Sequence, residues 1–296
     1  MKKDIIFKKN VSLKEYTTFK VGGPAKYFFA AKNKEGLAAA LQMAKKIKAQ
    51  VFVFGGGSNL LVSDKGFKGL VIKIEMSGIE FLDNKAVVGA GASLSKFANA
   101  ASKNGFAGFE WAIGIPAATV GGSIYGNAQA FGFRISDNIE SVEVFDKKTF
   151  KFKKFPKKQC RFSLKDSAFK KNKDLIIVSA VFDLKKGSES QIKENASKFL
   201  SHRRKNHPLN FPSAGSVFVN PEKRGQVTPA GYLIEKVGLK GKKIGKAQIS
   251  EKHANFIINL GGAKAKDVLA LIRLAQKKVK DVFKIKLETE IQQLGF

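Results

Sequence analysis

The chain has 296 residues, 44% of them hydrophobic, with one cysteine and a formal net charge of +30. That suffices for one large domain or two to three smaller ones, and the single thiol, Cys160, excludes an internal disulfide and points to a reducing compartment. No run of about 18 apolar residues exists, and the basic start MKKDIIFKKN has no apolar core of signal-peptide length, so a soluble cytoplasmic protein with no membrane partner is expected.

The charge is mostly lysine. Six of the 54 basic residues are arginine: Arg134, Arg161, Arg203, Arg204, Arg224 and Arg273. Arginine is the planar fork suited to phosphates and bases, and the lysines are spread along the chain. A solvated lysine surface therefore explains the charge better than a specific nucleic-acid site. It would still attract small anions.

In chain order, Tyr27-Phe28-Phe29-Ala30 is strand-like. Residues 34–48 read as a helix with Leu37, Leu41, Ala44 and Ile47 on one stripe. Strands follow at 51–54 and 60–62, and turn-flanked strands at 69–74 and 86–88. A helix over 94–103 should stop at Asn104-Gly105. Residues 105–132 are small and weakly polar, which suits a backbone packed closely on something flat. Strands are expected at 140–146, 149–155 and 175–184. A polar helix at 189–205 has the character of a hinge. A new unit then holds a strand at 216–219, a helix near 229–237, a strand at 254–260, a helix at 265–283 and a last strand at 285–292. The 265–283 helix carries Val268, Ile272, Ala275, Val279 and Val282 at core spacing.

The most informative stretch is Gly55-Gly56-Gly57-Ser58-Asn59, directly after Val51-Phe52-Val53-Phe54. Glycines tolerate positive φ and let backbone N–H groups approach an anion, and a nest of such groups cradles phosphate. Leu60-Leu61-Val62 reads as another strand, so this is not the helix-opening dinucleotide motif, and it lacks the Lys-Ser/Thr of a P-loop. A glycine-rich hairpin is the plain alternative.

Three other segments stand out. Arg161 follows Cys160 among lysines and reads equally as a surface residue. Ser216 lies between Gly215 and an apolar strand, as a reactive hydroxyl or a turn serine. Strand alternation places Glu288 and Glu290 on one face of Leu287-Glu288-Thr289-Glu290-Ile291, where carboxylates are usually just solvated. No hydrolase triad, zinc spacing or kinase set appears, and His202, His207 and His253 show no ligand pattern.

Taken in order, these segments resemble the UDP-N-acetylenolpyruvoylglucosamine reductase family. The resemblance runs from Tyr16-Thr17-Thr18-Phe19-Lys20-Val21-Gly22-Gly23-Pro24-Ala25 through the glycine loop. It continues at Gly114-Ile115-Pro116, Val120-Gly121-Gly122 and Asn127-Ala128, then Arg161 and Ala214-Gly215-Ser216-Val217-Phe218. It ends with Ser250-Glu251-Lys252-His253-Ala254-Asn255-Phe256 and Leu287-Glu288-Thr289-Glu290. It implies an α+β architecture: a vanillyl-alcohol-oxidase-like (PCMH-type) FAD-binding fold of two subdomains, over 1–65 and 66–195, with a C-terminal α+β substrate domain over 196–296.

The resemblance also implies non-covalent FAD, with NADPH as co-substrate and a UDP-sugar enolpyruvyl ether as substrate. The cofactor would be held at Gly55, Gly56, Gly57, Ser58, Asn59, Gly121, Gly122 and Ser123. Hydride goes to the β-carbon of the enolpyruvyl ether, and negative charge builds on its carboxylate and α-carbon. The family's arginine and glutamate, which stabilise that charge, fall on Arg161 and Glu290. Its serine, which protonates the α-carbon, falls on Ser216. Glu290 is chosen over Glu288 by the motif, since spacing does not separate them.

Four departures from the family pattern matter. Cys160 stands where tyrosine is common. Ala117-Ala118-Thr119-Val120 is one residue longer than usual, so the diphosphate loop would bend differently. Val219 stands where lysine is frequent. Only 54 residues separate Arg161 from Ser216, which fits the subclass lacking a tyrosine loop over the substrate. The rivals are another flavoprotein of the superfamily, such as an alcohol or sugar-acid oxidase, and a basic nucleic-acid-binding protein. A yellow colour separates the second at once. The Ala-Gly-Ser-Val-Phe and Leu-Glu-Thr-Glu segments speak against the first.

Overall fold

Alternating apolar residues set the strands of this chain, and 3.6-residue spacing sets its helices. The computed structural model describes residues 5–223 and 225–296. They form two units, each assembled from three stretches of chain. Among these described residues, the first unit takes the chain up to Lys9, Tyr27–Gly56 and Gly69–His202; the second takes Asn10–Lys26, Gly57–Lys68 and the described residues from Arg203 to Phe296.

The first unit is built on a five-stranded antiparallel sheet. Its order is Lys151–Pro156, Ile139–Asp146, Leu175–Asp183, Lys85–Gly89, Ile79–Leu82. Val142 pairs with Ala180, and Val181 with Val87. The edge strand reads Lys-Phe-Lys-Lys-Phe-Pro, and lysines on a free edge discourage pairing with another chain. It begins at Lys151, two residues later than the sequence suggests.

Helix α1 (Lys34–Lys46) starts where the Asn33 side chain accepts from the Gly36 N–H at 2.8 Å, a standard N-cap. Leu37, Leu41 and Ala44 are buried as their spacing predicts, but Ile47 is 43% exposed. It is the C-cap, already off the helical stripe. Helix α2 (Leu94–Lys103) is capped by Ser93 and ends at Asn104-Gly105 as expected, with Gly105 at φ +72°. It buries Phe97 against Phe109 and Phe182, with ring centroids 4.7 and 5.0 Å away. Helices α3 (Val120–Tyr125) and α4 (Ala168–Lys171) are short, and the polar helix α5 (Glu189–Asn206) contains the boundary between the units. Val51–Phe54 runs parallel to Phe67–Ile74, pairing Val51 with Leu70 and Phe54 with Lys73. That pairing delivers the chain into the glycine loop.

The second unit has a four-stranded antiparallel sheet in the order Ser213–Ser216, Phe256–Asn259, Ala247–Ile249, Lys243–Ile244. It also holds α6 (Ala230–Lys236) and α7 (Ala265–Phe283). Helix α7 buries Val268, Leu271, Ile272, Ala275 and Val279. Val282, expected on the same stripe, is 60% exposed. It sits at the stripe's margin in the last turn, just before Lys284 turns the chain through φ 56°. Buried Asn259 ties distant backbone together. Its Nδ2 donates to Phe19 O at 2.9 Å, and its Oδ1 accepts from Gly261 N and Ala263 N.

Two further strands differ from the sequence expectation. The strand expected at 216–219 is Ser213–Ser216, because Gly215 at φ +74° introduces a register shift against Phe256–Asn259. The strand expected at 285–292 is absent over 285–291; the observed strand is Gln292–Leu294, which runs parallel to Leu60–Val62. The preceding residues are irregular, apart from the single bridge of Thr289 with Phe218. No helix among the described residues is long and apolar enough to cross a membrane.

Asp64 caps α7 from far away in sequence. The N–H groups of Ala265 and Lys266 donate to its Oδ1 and Oδ2 at 2.8 and 3.0 Å. A carboxylate there satisfies two orphan donors and complements the helix dipole. Asp64→Ala is therefore expected to lower stability by about 1–2 kcal/mol. Urea unfolding measures this, and an unchanged midpoint would remove the cap from the energetics.

Candidate active site

The three glycines are demanded by close packing. A Cβ on Gly55 would lie 2.1 Å from Thr119 Oγ1, and one on Gly56 would lie 1.6 Å from the Ala117 carbonyl oxygen. A Cβ on Gly57 would meet the Tyr16 carbonyl at 2.0 Å. Of the three, only Gly57 has positive φ, at +65°. The positive φ expected along this stretch is thus corrected for Gly55 and Gly56, where crowding excludes side chains. Among the described residues, none accepts a hydrogen bond from the backbone N–H of Gly55, Gly56, Gly57, Ser58 or Asn59. Consecutive unspent N–H groups, the first three on residues without a Cβ, suit an anionic diphosphate.

The segment packed on Gly55 and Gly56 carries the extra residue noted above. Ala117 takes φ 50°, a conformation L-residues rarely adopt. Thr119 then caps α3, its Oγ1 accepting from Gly122 N at 3.3 Å. Gly121 donates its N–H to Ala90 O at 2.8 Å, and Ser123 donates to Thr119 O. A Cβ on Gly121 would lie 2.7 Å from Ala90 Cβ. Gly122 is exposed and Ser123 is buried.

Arg161 owes its position to its backbone. The short 3-10 helix Lys157–Cys160 ends on Arg161 at φ 47°, ψ 49°, and the residue is exposed. The loop beyond it is held by Asn127, whose Nδ2 donates to Ser163 O at 2.8 Å. Asn127 is 1% exposed, and its Oδ1 is buried without a partner among the described residues.

Cys160 faces the other way. Its Sγ lies 3.6 and 3.5 Å from the carbonyls of Phe155 and Pro156, and burial pushes the thiol up to about 12. The thiolate is the reactive form, so the native protein is expected to resist iodoacetamide at pH 8 and to be alkylated after unfolding. Mass spectrometry of the two samples reads this directly; rapid native labelling would refute it.

Ser216 and Glu290 belong to one backbone cluster. On one side, Val217 N donates to Asn255 O at 2.8 Å. The buried Asn255 side chain then clamps Phe218, accepting from its N–H and donating to its carbonyl, both at 2.9 Å. On the other side, Glu290 N donates to Val217 O at 2.8 Å, and Val219 N to Glu288 O at 2.9 Å. Glu290 is half-buried while Glu288 is exposed, which distinguishes two carboxylates that spacing could not. Asn59 reaches this cluster too, its Nδ2 donating to Glu290 O at 3.1 Å. Asn255 lies inside the Ser250-to-Phe256 segment, where the sequence gives it no assigned role. A buried asparagine leading into an apolar strand is the signal that marks it.

Comparison with known proteins follows the same lines. Residues 207–294 match the family described as UDP-N-acetylenolpyruvoylglucosamine reductase, C-terminal domain, and residues 25–149 match FAD binding domain. A UDP-N-acetylenolpyruvoylglucosamine reductase of Caldicellulosiruptor bescii is 44% identical over 98% of this chain and 91% of its own. One from Anoxybacillus flavithermus is 40% identical, covering 97% of this chain and 94% of its own. The crystal structure of the enzyme of that name from Thermus caldophilus superposes with a TM-score of 0.81 at 34% identity, covering 98% of this chain and all of that one.

Proposed function

We propose a role for each site residue from one premise: the chain belongs to the UDP-N-acetylenolpyruvoylglucosamine reductase family. It is an FAD-dependent reductase with the vanillyl-alcohol-oxidase-like fold. It uses NADPH to convert UDP-N-acetylglucosamine enolpyruvate to UDP-N-acetylmuramate in peptidoglycan precursor synthesis. Bound FAD supplies the hydride relay from NADPH to the enolpyruvyl β-carbon.

The chain's own residues do the rest. The N–H groups of Gly55 to Asn59 would hold the cofactor's diphosphate; Gly121, Gly122 and Ser123, whose own N–H groups go to Ala90 O, Thr119 Oγ1 and Thr119 O, would line it without donating backbone N–H bonds. Arg161 places a guanidinium against the substrate carboxylate and stabilises the charge that grows as hydride arrives. Glu290 hydrogen-bonds the same developing charge. Ser216 Oγ–H gives its proton to the α-carbon; a serine is a weak acid, so this step relies on a strongly basic carbanion and close placement. The flavin subdomains over 1–65 and 66–195 and the substrate domain over 196–296 complete the assignment. The matched segments 25–149 and 207–294 support a flavin part followed by a C-terminal part. The lysine-rich surface draws in the anionic substrate and NADPH, and the cytoplasm is where both would be met.

One observation carries the reading against a simple oxidase: Ser216 adjoins Val217, whose carbonyl accepts the Glu290 N–H at 2.8 Å. A proton donor and a carboxylic acid held on neighbouring backbone serve a reaction that must protonate carbon. The test is spectroscopic. The purified protein should be yellow, lose that absorbance under anaerobic NADPH and regain it on adding the enolpyruvyl substrate. A protein that is bleached by NADPH but restored only by oxygen would favour the oxidase.

A further inference from the structure

We infer that Asn59 is a positioning residue for Glu290, acting through its side-chain amide. Gln292–Leu294 pairs in parallel with Leu60–Val62, and the ladder ends at the Gln292–Leu60 pair. Two contacts extend it. Gln292 N donates to Asn59 O at 3.0 Å, and Asn59 Nδ2 donates to Glu290 O at 3.1 Å. The amide supplies the rung that a backbone N–H would have supplied in a longer strand.

The consequence for Glu290 is specific. Its N–H is engaged by Val217 O and its carbonyl by Asn59 Nδ2. The Glu290 backbone is therefore fixed on one side to the segment carrying Ser216 and on the other to the end of the glycine loop. A carboxyl group that must meet a developing charge has little tolerance, since a misplacement of about 1 Å can cost about 10²-fold in rate. The motif places Asn59 in the cofactor loop. The geometry gives its side chain a different task and leaves its backbone N–H for the diphosphate.

Asn59→Leu tests this with nearly unchanged shape and no added charge beside the diphosphate, because it removes the donor facing the carbonyl. In the flavin-loaded protein, amide hydrogen exchange across 286–294 should quicken relative to wild type. FAD affinity, measured by flavin fluorescence, should stay within about threefold. Substrate-driven return of the flavin absorbance should slow by about 10- to 100-fold, while NADPH-driven bleaching keeps its rate within about threefold. In a Glu290→Gln background the same Asn59→Leu change should add less than about threefold, the signature of two residues acting as a unit.

Weakened FAD binding with both half-reactions slowed would overturn the inference and make the amide a cofactor contact. An equal effect of Asn59→Leu with and without Glu290 would overturn it as well. The inference rests on Glu290 acting in the substrate half-reaction. If Glu290→Gln alone leaves that rate at the wild-type value, the assignment of Glu290 is what fails, and the positioning role falls with it.

Discussion

Ser216→Ala is expected to separate the two halves of the reaction. NADPH should bleach the flavin at a near-normal rate, because no proton to carbon is needed in that half. Return of the absorbance on adding the enolpyruvyl substrate should slow by at least about 10²-fold, the usual contribution of a positioned general acid. Arg161→Lys should slow the same half, since an ammonium cannot reproduce a planar fork on a carboxylate. Glu290→Gln should do so too. Glu288→Gln should be milder, in keeping with its exposure. Stopped-flow absorbance of each half-reaction is the measurement. Equal slowing of both halves in a folded Ser216→Ala protein would leave Ser216 as a turn residue beside Gly215 and remove it from proton transfer.

Gly56→Val should be the most damaging single change in the glycine loop. Its Cβ would fall 1.6 Å from the Ala117 carbonyl oxygen, and no rotamer change relieves a clash between a Cβ and backbone. The loop around Ala117 already holds φ 50° and has little slack. Overpacking of this kind costs on the order of 3 kcal/mol, and shifting Ala117 also disturbs Thr119 and the start of α3. Lower thermal stability and loss of bound FAD are expected together. Gly132→Ala is the control for conformational strain without crowding, since Gly132 has φ +86° with no atom within 4 Å of a new Cβ. It should cost about 1 kcal/mol and leave FAD bound. A Gly56→Val protein with wild-type stability and a full complement of FAD would show that the loop can open, and would end the crowding account.

Regular elements were legible wherever a period was sustained. The helices at 94–103 and 265–283 and the strands at 51–54 and 60–62 stand at the bounds read from the sequence. Their burial was less legible at the ends. Ile47 and Val282 continue an apolar stripe in sequence, yet both are exposed, because a helix's last turn departs from the packed face. The strand near Ser216 was misplaced by a glycine whose left-handed conformation shifts the register. No alternation pattern encodes that shift.

For the site, residue types and their order along the chain were enough to name the family, its cofactor and the candidate residues. Those facts are local, since a glycine run, a serine after a glycine or a Leu-Glu-Thr-Glu segment is read within a few positions. Tertiary structure alone decided which glutamate is partly buried, why Gly55 and Gly56 must lack side chains, and what Asn59 and Asn255 hold. Each of those answers depends on a contact with distant chain: Ala117 against Gly56, Asn255 against Phe218, and Asn59 against Glu290, 231 positions away. A buried amide can donate to any carbonyl that folding brings within about 3 Å, and nothing in its own sequence neighbourhood says which one that is.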